Sequence, residues 1–174
     1  MSNDSSRPYQ VTIVCLGNIC RSPIGEAVLR SRLDSAGLAA QVLVDSAGTG
    51  DWHVGQGANP RSINVLDTNG YEHDHIARQI NEDWFAGIDL AIAMDCSNYA
   101  DLERLIPATA SHTQLRMLRA FDPALSQIPE PDQRLDVPDP YHGTDEDFAT
   151  VLRMIEHAVD GLVAALPELM SERR

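Results

Sequence analysis

The sequence predicts an α/β protein: a parallel sheet with helices packed on both faces. Apolar, strand-like runs alternate with amphipathic helical segments along the chain, and Gly, Pro and cap residues separate one from the next. The 174 residues suffice for one domain with a sizeable core, and no internal repeat or linker divides them. We therefore read 1–174 as a single domain, with 1–8 and 168–174 as flexible ends.

The elements follow in order. Gln10-Val11-Thr12-Ile13-Val14 reads as a buried first strand. Beyond a short turn, Ile24, Val28, Leu29 and Leu33 mark one face of a helix that Gly37 stops. Residues 41–45 form the second strand, and Ser46-Ala47-Gly48-Thr49-Gly50 reads as a loop. A helix over 59–69 opens at Asn59-Pro60 and ends at Gly70. A short helical piece over 82–86 precedes the third strand, 88–94. The next helix, 97–106, is stopped by Pro107, and 114–118 forms a fourth strand. Residues 122–143 carry five prolines and read as a long structured loop, a feature that in compact domains is usually functional or disordered. Thr144 caps a last helix running to Leu166, with Asp145, Glu146 and Asp147 in its first turn and a frayed tail from Pro167.

Composition excludes several classes. A net charge of −13 and a pI near 4.6 oppose nucleic-acid binding, because the electrostatic contribution would be repulsive. No run of about 18 apolar residues appears, so no membrane span is expected. Residues 1–9 lack the apolar centre of a secretory signal, and three cysteines make an odd number. A reducing cytoplasm is the expected location, with export by a route needing no signal left open. All 13 basic residues are Arg. A Walker-type phosphate loop and Schiff-base chemistry both need Lys, so an ATPase, a GTPase and a pyridoxal enzyme are excluded.

The chemistry concentrates at Cys15-Leu16-Gly17-Asn18-Ile19-Cys20-Arg21-Ser22-Pro23, directly after the first strand. In parallel sheets ligands bind beyond the carboxyl ends of the strands, which is where Cys15 falls. Backbone N–H groups of such a turn, Arg21 and the following helix N-terminus together favour an anion. The same field stabilises a thiolate, the nucleophilic form of cysteine. Gly17 and Asn18 suit a turn with positive φ, Ser22 suits a helix cap and Pro23 its first turn. These features describe a site that binds a phosphate and attacks it. Cys-x5-Arg alone is weak, and a buried cysteine beside an ordinary turn is the plain alternative.

A thiolate that displaces an alcohol or phenol from phosphorus needs an acid at the leaving oxygen. Asp139 in Val137-Pro138-Asp139-Pro140-Tyr141 is the candidate, its backbone fixed by two prolines, with Tyr141 as an aromatic wall. Spacing alone reads Asp139 equally well as a solvated carboxylate beside Asp132, Asp136 and Asp145. The His73-Asp74-His75 cluster lacks the further ligands a metal needs, and Gly55-Gln56-Gly57 lacks the preceding strand of a dinucleotide site. Cys96 reads as a partly buried thiol.

Together these residues make the chain resemble the low-molecular-weight protein tyrosine phosphatases over essentially its whole length. The matching pieces are 14–23, Ser46-Ala47-Gly48-Thr49 with Trp52-His53, Asp74-His75-Ile76-Ala77-Arg78-Gln79, and Asp139-Pro140-Tyr141. The style, including 117–123 and the Arg-only basic content, is similar to actinobacterial members. The resemblance implies a four-stranded, flavodoxin-like sheet, no metal or cofactor, and hydrolysis of aryl phosphates through a phosphocysteine. It implies Cys15 as nucleophile, and Arg21 with the amides of Leu16, Gly17, Asn18, Ile19 and Cys20 as the phosphate cradle. Asp139 would be general acid and then base. Ser22 would donate to the Cys15 sulfur, and Asn18 would brace the loop through Ser46 and His75. Trp52 and Tyr141 would flank the cleft.

Cys20 could close a protective disulfide with Cys15 under oxidation. Implied partners are phosphotyrosine-containing proteins, with the enzyme expected as a monomer and weak self-association left open. The chain departs from many relatives at His142, where they carry a second Tyr. Arsenate reductases of similar architecture need two further cysteines, and only Cys96 remains. Protein-arginine phosphatases of the family tend to carry Thr where Ile19 stands. A flavodoxin-like module cradling an FMN phosphate would give the Cys-x5-Arg pair no role, and a catalytically dead phosphate-binding protein would waste its acid.

Overall fold

The computed structural model describes residues 6–173. Four strands, β1 (Tyr9–Cys15), β2 (Val42–Gly48), β3 (Leu90–Ala93) and β4 (Gln114–Met117), form one parallel sheet in the order β2-β1-β3-β4. Strands covered on both faces need apolar side chains at successive positions, which is why β3 is buried throughout and β1 nearly so. Val11, Ile13 and Cys15 face one layer, built from α1 (Arg21–Ala36), α2 (Pro60–Thr68) and α4 (Asp145–Ser171). Val14, Ala91 and Ala93 face the other, where α3 (Cys96–Leu105) and a 3₁₀ turn at Glu82–Gly87 contribute Leu102 and Phe85. The expected architecture, helices on both faces of four parallel strands, is the observed one.

The strand order places the site. From β1 the chain leaves to β2 on one side, and β3 and β4 lie on the other. The crevice between the carboxyl ends of β1 and β3 is thus the switch point at which such sheets bind ligands. Cys15 ends β1 there, and Met94 and Asp95 follow β3 beside it, with the Met94 N–H on the Val14 carbonyl at 3.1 Å.

The structure differs from the sequence reading at several points. Ser46, Ala47 and Gly48 belong to β2, paired with Ile13, Val14 and Cys15, because the central strand extends far enough to complete their ladder. Ser22 does not cap α1. The helix begins at Arg21 without any side-chain cap, and the Ser22 hydroxyl is turned to Cys15 and Asn18 instead. Gly17 does not take positive φ; Asn18 alone does in this turn, at 57°.

Helix α4 does not stop at Leu166 but runs through Pro167 to Ser171. Proline in a helix costs about 3 kcal/mol, and burying Leu166 and Leu169 offsets that at roughly 1.5–3 kcal/mol each. Side chains from the two ends meet at one carboxylate where they are described. Arg7 and Arg173 both reach the buried Asp89 carboxylate at 2.9 Å, and Arg173 also donates to the Arg7 carbonyl. Residues 1–5 and 174 of those ends lie outside the described residues. Among the described residues, no helix is long and apolar enough to cross a membrane.

Candidate active site

The turn between β1 and α1 is held from behind by one side chain. Asn18 is fully buried with left-handed backbone, a conformation Asn tolerates better than most residues. Its amide nitrogen donates to Ser22 Oγ at 2.7 Å and Ser46 Oγ at 3.0 Å, and its Oδ1 accepts from the Arg78 N–H at 2.9 Å. The Asn18 carbonyl lies 2.5 Å from His75 Nε2. A carbonyl can only accept, so Nε2 is the ring nitrogen that carries hydrogen in this contact. Behind both stands Glu26 of α1, buried, taking the Ser46 hydroxyl at 3.1 Å and lying 3.5 Å from His75 Nδ1 and 3.0 Å from Arg30. Every expected partner of Asn18 is therefore in contact with it.

Cys15 Sγ lies 3.0 Å from Ser22 Oγ. Asn18 donates to that oxygen, whose own hydrogen is the one available to the sulfur when Cys15 is a thiolate. The uncapped start of α1 and the Arg21 guanidinium add positive potential on the same side. Arg21 is 97% buried and forked between two tasks. One nitrogen is fixed to Asp95 at 2.6 Å and to the Val137 carbonyl at 3.0 Å, and the other lies 3.6 Å from Asp139 Oδ2. Burial disfavours its charge, but Cys15, Asp95 and Asp139 outweigh that, and the Arg21 pKa lies above its ordinary value. Asp95 spends its second oxygen on the Asn98 N–H, capping α3, so the same carboxylate aims Arg21 and starts a helix.

Asp139 sits across the opening on the loop before α4, roughly half exposed. A cleft of about 260 Å³ lies between these groups. Its floor is Cys15, Leu16, Gly17, Ile19, Cys20 and Arg21; Trp52 and His53 form one wall, and Asp139, Tyr141 and His142 the other. The rings of His53 and Tyr141 face across it at 6.3 Å, and His142 packs edge-on to Tyr141 at 4.8 Å. Cys20 lies in the floor with its thiol pushed up to about 12 by burial, and further by Asp139 and Cys15. Gly48 of β2 backs the loop so closely that a Cβ there would stand 2.6 Å from the Leu16 carbonyl oxygen. Among the described residues, no group of three or more His, Cys, Asp or Glu is placed to hold a metal. His73 pairs with Asp67 at 2.7 Å, while its neighbour His75 is turned inward.

The structure thus gathers Cys15, Arg21, Asp139, Ile19, Cys20, Trp52 and Tyr141 on one cleft and Ser22, Asn18, Ser46 and His75 beneath it. Glu26 and Asp95 were not singled out from the sequence, and His53 and His142, though named there, were given no place on the cleft. Asp95 had a readable signal, an acidic residue directly after a central strand and before a helix. Glu26 had none, because a carboxylate within a helix reads as a solvated face.

The family model of the low molecular weight phosphotyrosine protein phosphatases matches residues 10–172. The chain belongs to that family. A low molecular weight protein-tyrosine-phosphatase of Streptomyces coelicolor is 47% identical over 95% of this chain and 98% of its own length. Low molecular weight protein-tyrosine phosphatase A of Mycobacterium tuberculosis is 45% identical over 90% of this phosphatase and 91% of its own chain. Both relatives are actinobacterial, as the style of the sequence suggested. The crystal structure of a protein tyrosine phosphatase from Entamoeba histolytica, with Hepes in its active site, superposes with a TM-score of 0.82 at 34% identity. It covers 92% of this chain and 97% of its own.

Proposed function

We propose that this family member hydrolyses phosphotyrosine in proteins by a two-step, cysteine-dependent route. The observation that carries the reading is the meeting of a strand-end thiol, a buried Arg and a facing carboxyl on one cleft. The Cys15 thiolate attacks phosphorus, forming an S–P bond as the P–O bond to the phenol breaks. Asp139 gives its proton to the departing oxygen, which otherwise leaves as a costly anion. The loop amides from Leu16 to Arg21 and the Arg21 nitrogen that faces Asp139 hold the equatorial oxygens, where charge spreads in the transition state. Water then attacks the phosphocysteine, Asp139 takes its proton, and the S–P bond breaks to release phosphate. The Ser22 hydroxyl, 3.0 Å from the sulfur, stabilises the returning thiolate.

Trp52 and Tyr141 supply aromatic walls for a phenyl ring, and Leu16 and Ile19 add apolar floor beside the cradle. The apolar Ile19 favours an aromatic ester over phosphoarginine, by analogy within the family. The substrates are phosphoproteins, and the enzyme acts as a cytoplasmic monomer whose net charge of −13 keeps copies apart. Turnover of p-nitrophenyl phosphate by wild type and Cys15→Ser tests the route. The variant is expected to lose hydrolysis while still binding vanadate non-covalently, and wild-type turnover in it would end the reading. Phosphotyrosine and phosphoarginine peptides assayed side by side test the substrate class, with phosphotyrosine expected to turn over faster.

A further inference from the structure

Residues 139–143 carry the Asp139 acid, yet little in their own backbone fixes them. Upstream, Val137 is pinned on both sides, its N–H to the Met94 carbonyl at 2.8 Å and its carbonyl to Arg21. Downstream, the Thr144–Asp147 capping box starts α4. Between these points the loop closes one turn of its own, the Gly143 N–H on the Pro140 carbonyl at 2.8 Å, and Asp139 accepts the Tyr141 N–H at 3.1 Å. Arg61 spans this stretch from outside. One guanidinium nitrogen donates to the Tyr141 carbonyl at 2.7 Å and another to the Gly143 carbonyl, while the plane lies 4.7 Å from the ring of Phe148 in α4. A planar fork with two donors can hold two carbonyls in a fixed relation, which a single ammonium cannot do.

Arg61 stands in the first turn of α2, and that same turn grips the phosphate cradle. The Asn59 N–H donates to the Ile19 carbonyl at 2.8 Å, and the Ser62 hydroxyl reaches the Cys20 carbonyl at 3.3 Å. Asn59 also caps the helix through the Arg61 N–H at 2.9 Å. One rigid turn therefore touches the nucleophile loop on one side and the acid loop on the other. From this juxtaposition we infer that Arg61 is a positioning residue for the reaction: it sets the reach of the Asp139 carboxyl to the leaving oxygen. The inference rests on the assignment of Asp139 as general acid. Removing the clamp frees 139–143 to drift while the cradle keeps its own supports, so proton donation suffers and phosphate binding does not.

The experiment is a leaving-group series on Arg61→Met, with Asp139→Asn and the double variant beside it. Loss of an acid matters most where the leaving phenolate is most basic. In Arg61→Met, kcat/KM, which reports the first step alone and not hydrolysis of the phosphocysteine, is expected to fall about 30-fold for phenyl phosphate and less than about 3-fold for dinitrophenyl phosphate. Vanadate inhibition should stay within about 2-fold of wild type, and in the Asp139→Asn background Arg61→Met should cost less than about 2-fold, since no acid remains to be positioned. Arg61→Lys keeps the charge beside Phe148 and serves where the Met variant folds poorly, with the same pattern and a smaller loss expected. Equal loss of kcat/KM for both esters, or an undiminished loss in the Asp139→Asn background, would overturn the inference. Should Asp139→Asn itself lose kcat/KM equally for both esters, the acid assignment falls and takes this inference with it.

Discussion

Gly48→Ala tests how closely the sheet dictates the cradle. Gly48 ends β2 opposite Cys15, and its missing side chain leaves room for the loop backbone. A Cβ there would lie 2.6 Å from the Leu16 carbonyl oxygen and 3.2 Å from the Asn18 nitrogen, where ordinary contact begins at 3.4 Å. Neither neighbour is a flexible side chain. The Leu16 carbonyl already accepts the Gly50 N–H at 2.9 Å, and Gly48 itself is tied to the Arg78 carbonyl at 2.8 Å. Relief requires the loop to retreat by about 0.8 Å, close to the ~1 Å misplacement that costs an enzyme about 100-fold. We expect kcat/KM for an aryl phosphate to fall about 30- to 100-fold, or roughly 2–2.7 kcal/mol of transition-state stabilisation. Vanadate affinity should fall with it, because the amides that hold the equatorial oxygens move as a unit. Steady-state kinetics and inhibitor titration measure both, and thermal unfolding should register an overpacking cost of about 1–3 kcal/mol. A folded variant with kcat/KM and vanadate affinity within twofold of wild type would refute the claim that this contact shapes the cradle.

Two further outcomes follow from groups outside the reacting set. Burial, with Asp139 and Cys15, raises the Cys20 thiol from 9.0 to about 12, so its thiolate fraction grows about tenfold per pH unit below that value. Closure of a Cys15–Cys20 disulfide after peroxide treatment should accelerate accordingly from pH 7 to 9, followed by intact mass after acid quenching; a pH-independent rate would count against Cys20 as the attacking sulfur. At the amino-terminal edge of the sheet, Asp89→Ala strips the partner from Arg7 and from the largely buried Arg173. A loss of about 3 kcal/mol, or roughly 6–12 °C in Tm, is expected with kcat unchanged, since the cleft lies at the opposite edge; a Tm within about 2 °C of wild type would show the clamp to be dispensable.

Much of the fold was legible because its signals are local. The apolar runs at 10–14 and 88–94 report burial on both faces of a sheet, and Gly37, Asn59-Pro60 and Thr144 mark helix ends through backbone chemistry that any chain obeys. The misreadings occurred where a distant contact overrode a local preference. Ser46-Ala47-Gly48 looks like a loop until β1 supplies its ladder, and Pro167 looks like a stop until the core rewards Leu166 and Leu169. Ser22 looks like a cap until Asn18 and Cys15 claim its hydroxyl. In the site, Cys15 and Arg21 were legible from the strand, turn and helix start around them rather than from their spacing, while Asp139 was ambiguous beside three nearby acids. Its distance to Arg21 joins residues separated by more than a hundred positions.

By itself, then, the order of residues determined that a thiol, a short turn, an Arg and a helix start would follow a buried strand. Those groups are neighbours along the backbone, and covalent connection alone keeps them together. Only the tertiary structure decided what that turn would meet. Asn18 found Ser46 and His75, Arg21 found Asp95 and Asp139, and Arg61 bridged from α2 to the loop before α4. Each of those contacts exists because parallel pairing of β1 with β2 and β3 brings remote connections to one edge of the sheet, and no local pattern encodes which of them will meet there.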